Sequence, residues 1–153
     1  MIPKERLDLI RSEIGKVIQN ATFMIVEPVS DHVMAVDFSA ELHWALVAYS
    51  GHSNGNVYIC SSEELARIIA GNMLGISSPD IVSTEQEIDS FKELANIITG
   101  RMLLLLYGNE VVFRLSPPVY FRECPLKSEF SLANKFTYDC EEMFFNVILA
   151  QQS

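Results

Sequence analysis

The chain has 153 residues, of which 49% are hydrophobic and 20% are charged, and its net charge is −9. A domain of about this length buries about 70% of the surface that its unfolded chain exposes, so one core can hold it. The excess of Asp and Glu over Lys and Arg disfavours nucleic acid and anionic membranes as partners, because both require a basic surface. We therefore predict a single domain over residues 1–153.

Cysteine usage and the N-terminus predict a cytoplasmic protein. Cys60, Cys124 and Cys140 form no C-x-x-C motif, so we expect reduced thiols rather than a zinc site or disulfides. The N-terminal MIPKERLDLIRSE is charged and lacks the apolar region of a signal peptide. The most apolar run, Met102–Tyr107, is shorter than the ~20 residues that a membrane span needs.

Hydrophobic periodicity in the first half of the chain predicts helix, strands, then helix. Apolar residues recur at helical spacing after Pro3, and the period changes to alternation from Val33 onwards. Turn formers fill residues 50–56, which favours a hairpin. Ser61 or Ser62 is placed to cap the second helix and Gly75 to end it. The predicted elements are a helix over 3–20, strands over 33–40, 44–49 and 57–60, and a helix ending at Leu74.

A long helix and four more strands are predicted for the second half. Ser83 or Thr84 caps this helix, with Glu87 placed to close a capping box on Thr84, and Gly108-Asn109 ends it. Strands are expected over 111–115, 119–123, 130–138 and 143–150, the first two separated by Pro117-Pro118. This order predicts an α+β fold with a mostly antiparallel sheet and helices packed on one face.

Two helical segments share a sequence pattern. ELARIIAGNML, residues 64–74, and ELANIITGRML, residues 93–103, differ at three positions. Either two amphipathic helices that face one core share a pattern, or the segments are a relic of duplication. In the second case Arg67 stands where Asn96 stands.

The long helix carries two contrasting faces. At about 100° per residue, one side is an apolar stripe that must face the core. On the opposite side Asp89, Glu93, Asn96 and Gly100 follow one another at i, i+4, i+7 and i+11. The members of the apolar stripe are Phe91, Leu94, Ala95, Ile98, Met102 and Leu105.

The polar face is either ordinary solvated surface or half of an active site. Asn is a poor residue for a helix interior, and Gly100 costs about 1 kcal/mol relative to Ala there. The Asn96 amide can donate and accept hydrogen bonds and so orient a water molecule. The Glu93 carboxylate suits pairing with a cation on a partner. A glycine below this pair lets another surface approach closely, so a docking partner would supply the other half.

This face resembles the active helix of a known family. Asp89-x-x-x-Glu93-x-x-Asn96, followed by Ile97, Ile98 and Gly100, is similar to the motif of the CheC/CheX/FliY phosphatases. The order of elements over about residues 30–150 fits the same family. Only one intact motif is present, since Glu13-Ile-Gly-Lys16 has Lys where Asn would stand. The chain therefore resembles CheX rather than CheC.

The resemblance implies a phosphatase that removes the aspartyl phosphate of a CheY-type response regulator. The catalytic residues would be Glu93, pairing with the regulator's lysine, and Asn96, holding the attacking water. Asp89 would be a supporting motif position, and Gly100 would lie where the regulator docks. No metal or other cofactor of its own is implied, because the regulator binds the Mg²⁺.

The resemblance also implies a homodimer, commonly formed by joining sheets. The late strands are candidates for a pairing edge, although core packing explains their aromatic residues equally well. The apolar residues concerned are Phe130, Phe136, Phe144, Phe145 and Val147.

Two other functions remain as alternatives. The first is a non-catalytic receiver-binding or motor-switch scaffold module of the same fold, which would dock without turnover. The second is a metal hydrolase that uses His32, His43 and His52. These histidines have no H-x-H or H-x-x-x-H spacing and no obvious carboxylate partner, which disfavours a metal site.

Overall fold

The computed structural model describes residues 2–30, 42–125, 130 and 133–152. Within them three long helices accompany a seven-stranded sheet, which confirms the α+β prediction. The elements are α1 (Lys4–Thr22), β1 (Val26–Pro28), β2 (His43–Gly51), β3 (Gly55–Ser61), α2 (Glu63–Leu74), a 3₁₀ turn (Pro79–Ile81), α3 (Thr84–Tyr107), β4 (Phe113–Leu115), β5 (Val119–Phe121), β6 (Asn134–Cys140) and β7 (Met143–Gln151).

The sheet is antiparallel at every described pairing, in the order β1-β6-β7-β3-β2-β4. The predicted hairpin is present and pairs His43 with Ser61 at one end and Tyr49 with Gly55 at the other. Strand β5 also pairs with β2. Pro117-Pro118 separates β4 from β5 as predicted, since proline cannot donate to a ladder.

Of the two explanations for the aromatic residues of the late strands, the described sheet supports core packing over a pairing edge. Strand β6 lies between β1 and β7, and β7 lies between β6 and β3, so both are interior strands of the described sheet. Phe136, Phe145 and Val147 are buried in the core, whereas Phe144 is partly exposed. Interior strands bury aromatic side chains on the sheet face, which is the core-packing alternative.

Apolar side chains on the two faces of the sheet form separate clusters. On one face the three helices bury their apolar stripes against β2, β3, β6 and β7. On the other face Trp44 stacks with Phe121 and Phe130, at ring centroid distances of 6.0 Å in both cases. The helices therefore share one face of the sheet, and α3 is fixed in rotation by its buried stripe.

Some boundaries differ from the sequence-based expectations. The predicted strand over 33–40 lies outside the described residues, and β1 at Val26–Pro28 was not predicted. Three residues are too few to give a readable alternation of apolar and polar positions. The strand predicted from residue 130 begins at Asn134.

The cap of α3 also differs from the expectation. Ser83 is the N-cap and exchanges hydrogen bonds with Gln86, whose backbone N–H donates to Ser83 Oγ at 3.1 Å. The predicted capping box between Thr84 and Glu87 is wrong, because α3 starts at Thr84 and the Glu87 side chain is buried. The position of Glu87 on the apolar side of α3, at i−4 from Phe91, explains its burial.

Glu87 joins α3 to the sheet through a buried polar contact. Its Oε1 lies 3.2 Å from Nδ1 of His43, the first residue of β2, and the Tyr120 hydroxyl lies 2.6 Å from the same nitrogen. Arg67 of α2 lies 3.6 Å from the other Glu87 oxygen. Neither Glu87 Oε1 nor His43 Nε2 has a hydrogen-bond partner among the described residues.

Burial favours the uncharged form of both His43 and Glu87. Desolvation lowers the pKa of His43 from 6.5 to about 4, with the charge of Arg122 adding to it and Glu63 opposing it. Desolvation raises the pKa of Glu87, while Arg67 opposes that shift. His43 is therefore a neutral imidazole at pH 7.

We expect Ser83→Ala to lower the free energy of unfolding by about 1 kcal/mol, because the first turn of α3 loses its side-chain cap. The control is Thr84→Ala, which also removes a side-chain hydroxyl, one residue later. The Thr84 side chain makes no capping hydrogen bond. Urea unfolding of both variants tests this. Equal losses, or a larger loss for Thr84→Ala, would contradict the assignment of Ser83 as the cap.

The stability of the protein should fall as the pH drops from 6.5 towards 4. In this window His43 is protonated in the unfolded chain but not in the folded protein. Its contribution to the free energy of unfolding is therefore complete above pH 6.5 and is lost progressively as the pH falls towards 4. Glu87 acts in the opposite sense, because its raised pKa favours the folded state at low pH. Urea unfolding at several pH values should show a smaller fall for His43→Gln than for the wild type. The same fall in both proteins would show that His43 is not the group responsible.

Candidate active face on α3

The structure places the predicted polar stripe on the outer face of α3. Asp89, Glu93 and Gly100 are exposed and Asn96 is half-buried. On the opposite side all but one of the predicted apolar residues are fully buried, and Leu105 is half-buried. The buried members are Phe91, Leu94, Ala95, Ile98 and Met102. The packing of this stripe fixes the direction in which Glu93 and Asn96 project.

The polar side chains of this face make no internal contact. Within the described residues, no hydrogen bond or ion pair engages the side chain of Asp89, Glu93 or Asn96. The donors and acceptors of Asn96 and the Glu93 carboxylate are thus available to a ligand or a partner. The face has the groups to bind a cation and to orient a water, but no hydroxyl, thiol or imidazole group.

A groove of about 580 Å³ runs beside Asn96, between α1 and α3. Its α3 wall includes Ile97 and Leu104, whose exposed fractions of 37% and 40% are high for aliphatic side chains. Its α1 wall includes Glu13 and Lys16. Arg101 of α3 lies 3.8 Å from the Glu13 carboxylate and so joins the two walls.

Gly100 lines the groove, and packing within the described residues does not require a glycine there. A Cβ added there would meet nothing within 4 Å, and the φ of Gly100 is not positive. Gly71 occupies the equivalent position of the repeated segment in α2, and its added Cβ would lie 3.3 Å from the Ile76 carbonyl. The glycine of α2 therefore accommodates its own chain, whereas that of α3 leaves open space outside it.

The repeated segment of α2 does not form a second active face. Arg67, which stands where Asn96 stands, donates to the Val82 carbonyl at 3.1 Å and lies 3.8 Å from Glu63. With its contact to the buried Glu87, this side chain is committed to holding α2 against α3. The shared pattern places apolar residues of both helices in one core, with different polar neighbours.

One cluster has the donor set of a metal site. Ligand atoms of His43, Glu63 and Glu87 lie within 4.8 Å of one another. The expectation that His43 has no carboxylate partner is therefore wrong; the sequence signal was Glu87, an acid on an apolar stripe. The Arg67 guanidinium already lies beside both carboxylates, so the cluster contains its own cation. His52 packs instead on Tyr107, and His32 lies outside the described residues.

None of the helices in the described part of the chain combines the length and the apolarity that a membrane span requires.

Comparisons with known proteins agree with the resemblance seen in the motif. The family model described as chemotaxis phosphatase CheX matches residues 44–141, which is more than half of the chain and includes the whole of α3. No curated protein matches the sequence.

Solved structures of the same architecture share little sequence with the chain. CheX from Vibrio vulnificus superposes with a TM-score of 0.72 at 18% identity, covering 97% of each chain. CheX from Borrelia burgdorferi, solved in a complex with CheY, BeF₃ and Mg²⁺, gives 0.72 at 15% identity, covering 96% of this chain and 97% of that one. The middle domain of FliM from Vibrio alginolyticus gives 0.56 at 14% identity, covering 94% and 92%. These likenesses confirm the fold, and the family match over α3 and most of the sheet shows that the chain belongs to the CheX family of chemotaxis phosphatases.

Proposed function

We propose that this protein removes the phosphoryl group from a CheY-type response regulator, using the outer face of α3. One observation carries the proposal: Glu93 and Asn96 project unpaired from a helix whose rotation is fixed by its buried stripe. Membership of the CheX family supports it, as does the Borrelia burgdorferi CheX, whose structure contains CheY. A regulator partner also implies a cytoplasmic protein.

In this proposal Asn96 orients the attacking water. A carboxamide is neutral, so its oxygen can accept from the water and its NH₂ can donate to an anionic neighbour at the same time. The water then attacks phosphorus, the bond to the aspartyl oxygen breaks, and phosphate leaves with the regulator's carboxylate restored. Catalysis of this type depends mainly on positioning and charge stabilisation. No bond to the phosphatase forms in this scheme, in keeping with a face that carries no hydroxyl, thiol or imidazole group.

The remaining residues of the face bind rather than react. Glu93 lies one helical turn before Asn96, and its exposed carboxylate would pair with the regulator's lysine and fix the register. Asp89 lies a further turn away and would support docking at the edge of the contact. The Mg²⁺ would be bound by the regulator, so the phosphatase would need no cofactor of its own. The homodimer stays a prediction.

A second candidate function is docking without turnover. The fold similarity to the FliM middle domain is the observation behind it, because the same architecture occurs there in a protein other than CheX. Both candidates use the outer face of α3, and they differ only in whether a bound phosphorylated regulator loses phosphate faster.

The decisive experiment follows phosphate release from receiver domains of the same genome, phosphorylated with a small phosphodonor in Mg²⁺. We expect the wild type to accelerate release and Asn96→Ala to lower kcat by about 10²-fold, because the water loses its orientation. Glu93→Ala should mainly raise KM. Asn72→Ala, on α2 and outside the groove, is the matched control.

Each outcome separates the candidates. Binding of a phosphorylated receiver by the wild type without acceleration favours the docking module. Acceleration that survives Asn96→Ala unchanged would remove the proposed role of Asn96.

We expect Gly100→Ala to stabilise the protein and to weaken regulator binding. Alanine is favoured over glycine in a helix by up to ~1 kcal/mol, and its Cβ meets nothing in this chain. The same methyl group would block close approach of the partner. Gly71→Ala is the control, since its Cβ is crowded by the Ile76 carbonyl and lies outside the groove.

Urea unfolding and measured affinity for a receiver test this pair of effects together. A stabilised Gly100→Ala protein with unchanged affinity would show that the partner does not approach α3 at this point.

A further inference from the structure

Lys16 of α1 faces the same groove as Asn96 of α3. Both line the groove of about 580 Å³, from opposite walls. Lys16 belongs to the Glu13-Ile-Gly-Lys16 segment, in which lysine stands at the position of the motif asparagine. The altered motif of α1 and the intact motif of α3 thus meet at one groove instead of forming two separate sites.

The groove has an excess of positive charge. Lys16 Nζ lies 3.4 Å from Glu13, and Arg101 lies 3.8 Å from the other oxygen of the same carboxylate. Among the described residues Glu13 is the only carboxylate paired with either cation. Two cations that share one carboxylate leave a net charge of about +1 at the groove, although the whole chain carries −9.

Lys16 is not needed to hold the fold. Its side chain is 66% exposed, and its contact with Glu13 is a surface pair within one helix, which contributes little to stability. A long, exposed side chain of this kind can leave Glu13 and reach a partner at small cost. Packing therefore does not explain its place in the groove wall.

We propose that Lys16 is a recognition residue that attracts the phosphorylated, anionic site of the receiver into the groove. This inference rests on the proposed function, since a receiver site that carries a phosphoryl group beside its own carboxylates presents anionic oxygens, whose charge the regulator's Mg²⁺ and lysine offset in part. A phosphatase with a net charge of −9 repels such a partner over most of its surface. A local cation beside Asn96 offsets that repulsion where the partner must dock.

The proposed role affects association and not the chemical step. Charges at the rim of an interface change the rate of association and its dependence on salt more than they change turnover. Asn96 positions the water from α3, whereas Lys16 acts from α1 on the approach of the partner. Loss of the charge should therefore raise KM and leave kcat unchanged.

The experiment compares Lys16→Gln with Lys4→Gln. Both lysines lie on α1 and pair with an acid of the same helix, Lys4 with Asp8 at 3.5 Å, but Lys4 is 89% exposed and does not line the groove. We expect Lys16→Gln to raise KM roughly three- to ten-fold at low salt and to flatten its salt dependence. Lys4→Gln should match the wild type, and Lys16→Arg should retain most of the affinity.

Affinity for the receiver loaded with beryllofluoride and Mg²⁺, measured in parallel, separates the two proposals. Turnover with equal KM for Lys16→Gln and Lys4→Gln overturns the role of Lys16 and leaves the phosphatase proposal standing. Absence of turnover with weaker binding by Lys16→Gln supports the role of Lys16 and overturns the phosphatase. Absence of both binding and turnover overturns both, and a fall in kcat alone overturns the recognition role.

Discussion

The structure depends on the burial of one side of α3 along almost its whole length. Phe91, Leu94, Ile98 and Met102 are fully buried against the sheet and the other helices, so the helix cannot rotate without exposing them. At its N-terminal end the buried contact between Glu87 and His43 adds a polar constraint that an apolar stripe alone lacks. The outer face is consequently held in a fixed direction, although none of its own side chains helps to hold it.

Neighbouring elements decide what each copy of the repeated pattern becomes. In α2 the pattern meets the segment that leads to α3, so Arg67 is bound and the Gly71 site is crowded by Ile76. In α3 the same positions, Asn96 and Gly100, open onto the groove beside α1. A local sequence pattern therefore specifies the apolar side of a helix, whereas the polar side takes its role from the elements placed next to it.

The sequence predicted the features that have a period or a defined residue chemistry. The three helices, the β2–β3 hairpin and the orientation of the polar stripe followed from spacing and from capping residues. The burial of Glu87 was indicated by its place on the apolar side of α3, but its partner was not, because His43 lies 44 residues away and their proximity depends on the packing of α3 on the sheet. The interior position of β6 and β7 depends likewise on sheet order, which strand patterns do not determine.

An Asn without a side-chain partner and a Gly in the middle of α3 both lower the stability of a helix in water. Each lowers helix stability relative to Ala by up to ~1 kcal/mol, in a protein class whose total stability is about 5–15 kcal/mol. No side-chain contact among the described residues offsets this cost, since the Asn96 side chain makes no hydrogen bond and a Cβ added at Gly100 would meet nothing within 4 Å. We expect binding of the proposed partner at this face to offset it. In the proposed function, a partner that supplies the metal, the phosphoryl group and the leaving carboxylate would require from this protein only a neutral amide, a registering carboxylate and room to approach.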